Sequence, residues 1–280
     1  MPSEGGAHTM ILILCLFAAA LLLLFLAAPG RAGQEKTAPF RGRYFAHRGL
    51  HTRDGAVPEN SLAAFRRAAE AGWGVELDVR LTADGRVVVF HDDTLDRVCG
   101  VSGRVDSFTY DQLQAFPLRG TAERIPLFSD VLTLLAGKVP VIVELKTGPR
   151  NRELCEKTLA LMREWGGELC MESFDPTIVA WFRRHAPEFF RGQLATAPAD
   201  YRKGGQPAPA AFLLSATLLN FLGRPQFIAY RIGPRPWTTR LAEALGAVKI
   251  GWVARKPSDE AGLEAVIFEF YEPKRQKQLL

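Results

Sequence analysis

The sequence predicts an α/β protein, a (β/α)₈ TIM barrel preceded by one apolar N-terminal helix. After residue 40, short runs rich in Val, Ile and Phe alternate with stretches of helical periodicity. Eight of these runs are spaced as barrel strands would be. The length left after residue 40, about 240 residues, suits one such barrel with a single buried core. A doubly wound open sheet is the alternative, because the sequence alone does not exclude it.

The first element is an unbroken apolar run from Met10 to Ala28, long enough to cross a membrane. The residues before it include Glu4 and no Lys or Arg, so they lack the cationic start of a secretory signal, which is the alternative. Four cations follow the run closely: Arg31, Lys36, Arg41 and Arg43. Because positive charge favours the cytoplasmic side, we expect a single-pass anchor with a cytoplasmic domain after it. The expected division is an anchor and linker at 1–40, transmembrane at about 10–28, and a barrel domain at 41–280.

The cysteine count and the distribution of charge limit the compartments and binding partners that are expected of this chain. Cys99, Cys155 and Cys170 are an odd number with no paired spacing, which favours a reducing compartment. A net charge of +5 would help a tethered domain lie against anionic lipid. The basic residues are scattered and form no nucleic-acid motif, so no nucleic-acid partner is expected. The sequence gives no indication of the oligomeric state.

The predicted elements follow in order along the chain. A helix at 61–71 has Leu62 and Phe65 on its apolar face, with Asn60 expected as its N-cap. Further helices are expected at 152–165, 177–185 and 238–245. The predicted barrel strands are 44–47, 75–81, 139–145, 169–174, 190–196, 227–232, 249–254 and 265–270.

A short turn at 82–85 separates the second strand from another β-type run at 87–91. Three or four residues are too few for the crossover that a parallel neighbour needs, so the run must return antiparallel as a hairpin. A hairpin that projects past the carboxyl rim of the barrel brings its last residue back to that rim. We therefore expect His91 to face Glu76 and Asp78.

Three carboxylates are expected at the same rim. Glu76 and Asp78 are two apart on one strand and share a face. Glu144 ends the apolar run 139–143, and the carboxyl end of a barrel strand is where catalytic groups lie. Three carboxylates form a hard oxygen site suited to Mg²⁺, Ca²⁺ or Mn²⁺, and the absence of a Cys/His cluster argues against structural zinc. The alternative is a set of rim carboxylates paired with Arg48, Arg80 and Lys146.

Two histidines and two cations complete the set. His47 ends the first strand and His91 ends the hairpin, and an imidazole pair can act as base and acid in phosphodiester cleavage. Arg48 and Lys146 are placed to neutralise phosphate oxygens. The pattern indicates a metal-assisted phosphoryl site. His51 is left without a role.

These residues carry a resemblance to the glycerophosphodiester phosphodiesterase family, specific from Phe45 to about Asp175. The shared motifs are His47-Arg48-Gly49, Pro58-Glu59-Asn60-Ser61, Glu76-Leu77-Asp78-Val79, Asp84-Gly85, Val89-Phe90-His91-Asp92, Leu95-Asp96-Arg97, Gly103-Arg104-Val105, Ile125-Pro126-Leu127, Val143-Glu144-Leu145-Lys146 and Ser173-Phe174-Asp175. They occur in the order and spacing of that family.

The resemblance implies a barrel with a small insertion at roughly 94–126 and a metal-dependent split of glycerophosphodiesters into glycerol 3-phosphate and an alcohol. In the family, the substrate's glycerol hydroxyl is thought to attack phosphorus, and water then opens the cyclic phosphate. Since the tether holds the site at a bilayer, lysophospholipids are a possible second substrate. By motif matching, the cation ligands are Glu76, Asp78 and Glu144, the acid–base pair is His47 and His91, and the phosphate ligands are Arg48 and Lys146.

The carboxyl-terminal third departs from the family pattern. Where the family commonly shows Trp-Thr and later Thr-Asp, this chain has Trp252-Val253 and Phe268-Glu269. Trp252 either lines the glycerol pocket or belongs to the core. Trp237, in a helical pattern, is expected to serve packing. This departure keeps a second function open, a catalytically impaired barrel that binds a lipid headgroup or a partner at the membrane.

Overall fold

The computed structural model describes residues 4–273, with side chains from His8 onward. Residues 1–3, and residues 274–280 at the expected end of the barrel domain, lie outside the described residues. The strands are β1 Tyr44–His47, β2 Gly74–Leu81, β3 Val87–Val89, β4 Val141–Leu145, β5 Leu169–Ser173, β6 Phe190–Ala195, β7 Phe227–Arg231, β8 Val248–Ala254 and β9 Ala265–Phe268. The helices are α1 Glu4–Ala27, α2 Gln34–Thr37, α3 Leu62–Glu70, α4 Asp96–Cys99, α5 Tyr110–Leu113, α6 Phe128–Leu135, α7 Asn151–Trp165, α8 Pro176–His185, α9 Pro198–Lys203, α10 Ala208–Ser215, α11 Asn220–Gly223 and α12 Trp237–Ala244. Three short 3₁₀ helices are Val105–Ser107, Leu118–Gly120 and Pro257–Glu260.

Eight parallel strands close into a barrel in the order β1, β2, β4, β5, β6, β7, β8, β9. The last strand pairs with the first, with Tyr44 opposite Val266, so the sheet has no open edge there. This closure confirms the predicted TIM barrel, and the open-sheet alternative is wrong. β3 pairs antiparallel with β2, with Val79 opposite Val89, as the short turn requires.

Alternation along β2 sorts its side chains between the helical layer and the barrel interior. Val75, Leu77 and Val79 are fully buried and belong to the core shared with the helices. Glu76 and Asp78 take the opposite face. The sequence therefore places two charged groups inside the barrel, where only strong pairing can offset the loss of water.

The floor of the barrel interior is apolar. Phe45, Phe190 and Phe227 are buried there together, and the Phe190 and Phe227 ring centroids lie 4.8 Å apart. Phe40, from the segment between α2 and β1, closes this floor, with its ring centroid 6.1 Å from that of Phe45. Burying a side chain of this size stabilises the fold by roughly 2–3 kcal/mol. The polar side chains at the carboxyl ends of the strands therefore lie above a tightly packed aromatic layer.

The helix α3 begins one residue later than predicted. Ser61, not Asn60, is the N-cap, because its Oγ accepts from the backbone N–H of Ala64 at 3.1 Å. Asn60 has a φ of +54°, a left-handed conformation that Asn tolerates, and its side chain turns inward to Asp78. The expectation that Asn60 caps the helix is wrong.

The chain between β3 and α6 forms a small lobe on the hairpin, as the predicted insertion requires. It contains α4, α5 and two of the 3₁₀ helices. Its own apolar cluster is Val88, Phe90, Leu95, Val98, Val105, Leu113, Leu118 and Ile125. β3 ends at Val89, two residues before the predicted end, so His91 lies just beyond the strand.

The apolar run forms α1, in which His8–Ala27 is long and apolar enough to cross a membrane by length and composition. Most of its described side chains are exposed, and those of its last two turns pack against the barrel. Leu23 and Leu26 contact the buried Ala216 and Leu218, and the Asn220 amide donates to the Ala27 carbonyl at 2.9 Å. We refer to this contact as the foot of α1.

Candidate active site

The carboxyl ends of the strands place a polar layer above the apolar floor. The register sets His47 beside Glu76, Asp78 beside Glu144, and Glu144 beside Glu172. A cavity of about 90 Å³ lies among these side chains, and it is lined by His47, Arg48, Glu76, His91, Glu144, Glu172, Phe174, Leu194, Trp252 and Ile267. The predicted site residues His47, Arg48, Glu76, His91, Glu144 and Trp252 therefore meet at one cavity. Asp78 and Lys146 adjoin them.

Three carboxylates converge beside this cavity. One oxygen each of Glu76, Asp78 and Glu144 lies within 4.8 Å of the others, and all three residues are buried. Burial and the surrounding carboxylates, Asp78 first, raise the pKa of Glu76 well above its usual range. The pKa of Glu144 is also raised, by burial and the Asp78 charge, although Lys146 opposes the shift.

Cations and an amide hold Asp78 in its charged form. Burial alone would raise its pKa, but Lys146, His91, Arg48 and Asn60 together hold the pKa well below the usual range. Lys146 Nζ lies 3.3 Å from Asp78 Oδ1 and 2.8 Å from Glu144 Oε1, and Asn60 Nδ2 donates to Asp78 Oδ2 at 2.8 Å. Asn60 was missed as a site residue because capping explained it equally well.

The carboxylate cluster fits a divalent cation. Hard carboxylate oxygens are the ligands that Mg²⁺ and Ca²⁺ prefer. Two further buried oxygens nearby, Glu172 Oε2 and Asn60 Oδ1, have no hydrogen-bond partner among the described residues. Burial and the neighbouring carboxylates raise the pKa of Glu76 although the Arg48 charge opposes the shift, so the negative charge of Glu76 is only partly compensated. A cation at this position would supply that compensation.

The alternative of rim carboxylates paired with nearby cations is only partly met. Lys146 pairs with Asp78 and Glu144, and Arg48 Nε lies 3.5 Å from Asp78. Arg80 does not pair with these three carboxylates, since its guanidinium donates to the His91 carbonyl at 2.8 and 2.9 Å and pairs with Asp93 at 2.6 Å. Arg80 therefore fixes the backbone that carries His91.

His47 is held by Glu269, the residue that directly follows the last strand of the barrel. Its Nδ1 lies 3.2 Å from Glu269 Oε1, which also faces His51 Nε2 at 3.2 Å. Arg255 donates to the other Glu269 oxygen at 2.8 and 3.0 Å. Burial, and then the neighbouring Arg48, lower the pKa of His47 to about 4. With Nδ1 engaged, Nε2 is the ring nitrogen left for a substrate.

His91 is held from the outer lobe instead. Its Nδ1 lies 2.6 Å from Asp92 Oδ1, and Arg97 donates to both oxygens of Asp92. Arg97 also donates to both oxygens of Glu59, which in turn accepts from Arg48 at 2.7 Å. A chain of ion pairs therefore joins the loops after β1 and after β3.

Two further carboxylates escaped the sequence analysis. Glu172 is buried, and burial together with the Glu144 and Asp78 charges raises its pKa well above the usual range. The sequence does contain a signal for Glu172, because it holds the same inward position on β5 that Glu144 holds on β4. Glu269 was noted only as a departure from the family pattern, yet it orients His47.

Trp252 belongs to the wall of the site and is anchored there. Its Nε1 donates to the carbonyls of Ala195 and Ala229 at 3.2 and 3.0 Å. Its ring meets Phe174 edge-on, with centroids 5.6 Å apart. It borders both the small cavity and a larger one of about 870 Å³ that opens toward α9 and α10. Trp252 thus lines a cavity and is packed at the same time, and its contact with the glycerol of a substrate stays a prediction.

A closed barrel with an acidic cluster and two imidazoles at its carboxyl rim defines a class, a TIM-barrel enzyme with its polar site at that rim. The family model named Glycerophosphoryl diester phosphodiesterase family matches residues 47–269. The chain belongs to this family. The resemblance noted in the sequence is thus confirmed, and the match also extends over the carboxyl-terminal third, where the motifs depart from the family pattern.

Relatives agree with this membership. A glycerophosphodiester phosphodiesterase of Caldanaerobacter subterraneus subsp. tengcongensis is 41% identical over 160 residues, which are 53% of this chain and 65% of that protein. The lysophospholipase D GDPD1 of Rattus norvegicus is 32% identical over 158 residues, 52% of this chain and 48% of that protein. The matched part of the chain thus spans about half to two thirds of these relatives.

A solved structure shows the same fold. The Oleispira antarctica phosphodiesterase in complex with the product sn-glycerol-3-phosphate superposes with a TM-score of 0.65 at 21% identity. The alignment covers 81% of this chain and 92% of that chain. At this identity the likeness establishes the fold.

Proposed function

We propose that this protein hydrolyses glycerophosphodiesters to glycerol 3-phosphate and an alcohol. The observation that carries the proposal is one cavity bordered by two imidazoles, His47 and His91, beside three converging carboxylates. Imidazoles on a phosphate site provide a base and an acid near neutral pH. The relatives named as glycerophosphodiester phosphodiesterase, and the structural neighbour with its glycerol phosphate product, support this substrate class.

We assign Glu76, Asp78 and Glu144 as ligands of a divalent cation, with Mg²⁺ or Ca²⁺ first and Mn²⁺ next. When bound, the cation would offset negative charge at the phosphate and lower the pKa of a hydroxyl. Arg48 and Lys146 are already held at the carboxylates by ion pairs and would bind phosphate oxygens from there.

The protein residues then move protons between substrate atoms. His47, neutral because of its lowered pKa, accepts the proton of the glycerol hydroxyl as that oxygen bonds to phosphorus. His91 donates a proton to the alcohol oxygen as its bond to phosphorus breaks. Water then opens the cyclic phosphate with the two roles exchanged, which gives glycerol 3-phosphate. Trp252, in the cavity wall, would pack against the glycerol carbons.

The experiment is release of glycerol 3-phosphate from glycerophosphocholine and glycerophosphoethanolamine by the full chain, with and without EDTA. We expect turnover that EDTA abolishes and that Mg²⁺, Ca²⁺ or Mn²⁺ restores. Glu144→Gln should weaken cation binding in calorimetry, whereas Glu156→Gln, in an exposed pair of α7, should leave it unchanged. No turnover on either substrate with any of these cations would overturn the proposal and favour a barrel that only binds headgroups.

The same proposal places the protein at a membrane, with α1 as a single-pass anchor, residues 1–40 as anchor and linker, and the barrel from residue 41 in the cytoplasm. The support is the apolar length of α1 and the cations that follow it. Cys99 is partly exposed and serves as the reporter. A membrane-impermeant thiol reagent should label Cys99 only after the cells are permeabilised. Labelling in intact cells would reverse the orientation.

A further inference from the structure

Exposed apolar side chains of the barrel gather at one place. Among the described residues after α1, four large apolar side chains are exposed, Phe212 (57%), Leu213 (37%), Trp237 (58%) and Leu245 (46%). Three of the four lie on α10 or at the start of α12, and Leu245 follows the other end of α12. Trp237 does not serve the packing expected from its sequence pattern. Single exposed apolar residues are ordinary, but a group of aromatic and aliphatic ones indicates an interaction site.

Backbone contacts tie this group to the foot of α1. The carbonyls of Phe212 and Leu213 accept from the N–H groups of Ala216 and Leu218, the residues on which α1 packs. Next to Trp237, Thr238 Oγ1 donates to the Ala216 carbonyl at 2.7 Å. Phe212 and Leu213 therefore lie on the segment that receives the end of the apolar helix, and Trp237 begins the helix that is hydrogen-bonded to that segment. We call Phe212, Leu213 and Trp237 the apolar collar.

Exposed cations lie on the helices that carry the collar or pack beside it. α9, which packs against α10, ends in exposed Arg202 and Lys203. Arg240 is exposed one turn after Trp237 on the same side of α12. Tryptophan and phenylalanine beside Lys and Arg are the side chains that settle at the headgroup level of a bilayer. The positive charge of these three residues would attract anionic lipid headgroups.

The inner side of α10 faces the active site. Leu214, next to Leu213, lines the cavity of about 870 Å³, which His91, Lys146 and Trp252 also border. One helix thus carries an exposed apolar side chain on one side and a wall of the substrate cavity on the other. Whatever surface the collar touches lies next to the mouth of that cavity.

We infer that the apolar collar docks on the lipid bilayer that α1 spans and holds the large cavity at its surface, so that a substrate with an acyl chain can enter from the membrane. The part of the inference that concerns the substrate, a lysophospholipid, rests on the proposed function. The docking of the collar on the bilayer does not depend on it. A second copy of the chain is the other occupant to test, since an apolar group can also pair with itself.

Tryptophan fluorescence in proteoliposomes tests the docking directly. The full chain is reconstituted in phosphatidylcholine and phosphatidylglycerol with plain or brominated acyl chains. Brominated lipid should quench part of the emission of the wild type, and Trp237→Phe should abolish that part. Phe212→Ser with Leu213→Ser should reduce it, while Leu245→Ser, an equally exposed residue outside the collar, should not. Equal quenching in the wild type and Trp237→Phe, or a collar-dependent dimer in cross-linking, would overturn the inference.

Activity separates this inference from the proposed function. Both collar variants, and the Leu245→Ser control, should hydrolyse soluble glycerophosphocholine at the wild-type rate. On lysophosphatidylcholine in the vesicles, Phe212→Ser with Leu213→Ser should be slower by about tenfold, the loss expected when apolar contacts that aid partition are removed. No hydrolysis of either substrate by the wild type would refute the proposed function and leave the quenching result standing. An unchanged lysolipid rate would remove the collar from substrate access.

Discussion

His47 and His91 border one cavity but are supported by different parts of the chain. His47 is more buried, with a side chain 14% exposed against 31% for His91. The carboxylate that orients it, Glu269, directly follows β9, near the far end of the sequence, and Arg255 and His51 complete the arrangement. Closure of the barrel is what brings these groups together.

His91 depends on neighbours close in sequence. Asp92 is the next residue, and Arg97, which holds Asp92, begins the lobe on the hairpin. The site therefore has a rigid side, built into the barrel, and an outer side, built from loops and ion pairs. Substitutions on the two sides should therefore act differently.

Removal of either imidazole should have the largest effect. His47→Ala and His91→Ala should each lower kcat by about 10²–10⁴-fold, because each removes a proton-transfer group. Glycerol 3-phosphate release at saturating substrate is the measurement. His185→Ala, on the exposed end of α8, is the matched control and should retain full activity. A residual rate near wild type for either variant would remove that histidine from the chemistry.

Glu269→Gln tests the rigid side. The glutamine side chain can place its NH₂ donor, in place of a carboxylate oxygen, against Nδ1 of His47. The imidazole would then be poorly oriented, so kcat should fall by about tenfold to a hundredfold with little change in KM. Glu269 favours the charged imidazole, so its loss should lower the pKa of His47 further. The acid limb of the pH profile of kcat/KM should then move to lower pH.

Glu269→Asp should restore part of the rate, since a carboxylate is kept. A purely structural role for Glu269 would lower the amount of folded enzyme and leave the acid limb where it is in the wild type. That result would count against Glu269 as the residue that positions His47.

The contrast between the two sides also explains what the sequence could predict. His91 beside Glu76 and Asp78 followed from a short turn, which admits only an antiparallel return. Glu269 beside His47 did not follow, because the pairing needs the relative rotation of strands that are distant in sequence. The closed barrel and the strand order were predictable from alternating periodicity, whereas Asn60 was misassigned because the same residue type suits a cap and a polar ligand.

Arg97→Ala tests the outer side. Without its guanidinium, Asp92 and Glu59 lose their shared partner, and the pKa of each should rise toward its usual value. A partly exposed ion pair contributes about 1 kcal/mol or less, so kcat should fall by only about fivefold. Arg104→Ala, which removes an exposed pair with Asp106 in the same lobe, should change kcat little. A loss as large as that of His91→Ala would make the outer side as rigid as the inner one.

Glu59→Gln should give the smallest effect, in acid stability. Although burial opposes it, pairing with Arg97 and Arg48 lowers the pKa of Glu59 to about 2 in the folded chain, against 4.5 for the free group. A depressed folded pKa stabilises the fold above the unfolded value, and this contribution is lost as pH falls from about 4.5 toward about 2. Between about pH 6 and pH 3.5, the free energy of unfolding of the wild type should fall by about 1 kcal/mol more than that of Glu59→Gln.

Urea unfolding at the two pH values measures this difference, and Glu156→Gln on the exposed face of α7 is the control. The control should follow the wild type, because an exposed pair is screened by solvent. If the free energy of unfolding of Glu59→Gln falls with pH as much as that of the wild type, the ion pairs from Arg48 to Asp92 make no acid-sensitive contribution to stability. The loops around His91 would then be held by the packing of the lobe, through Phe90 and Leu95, and not by charge.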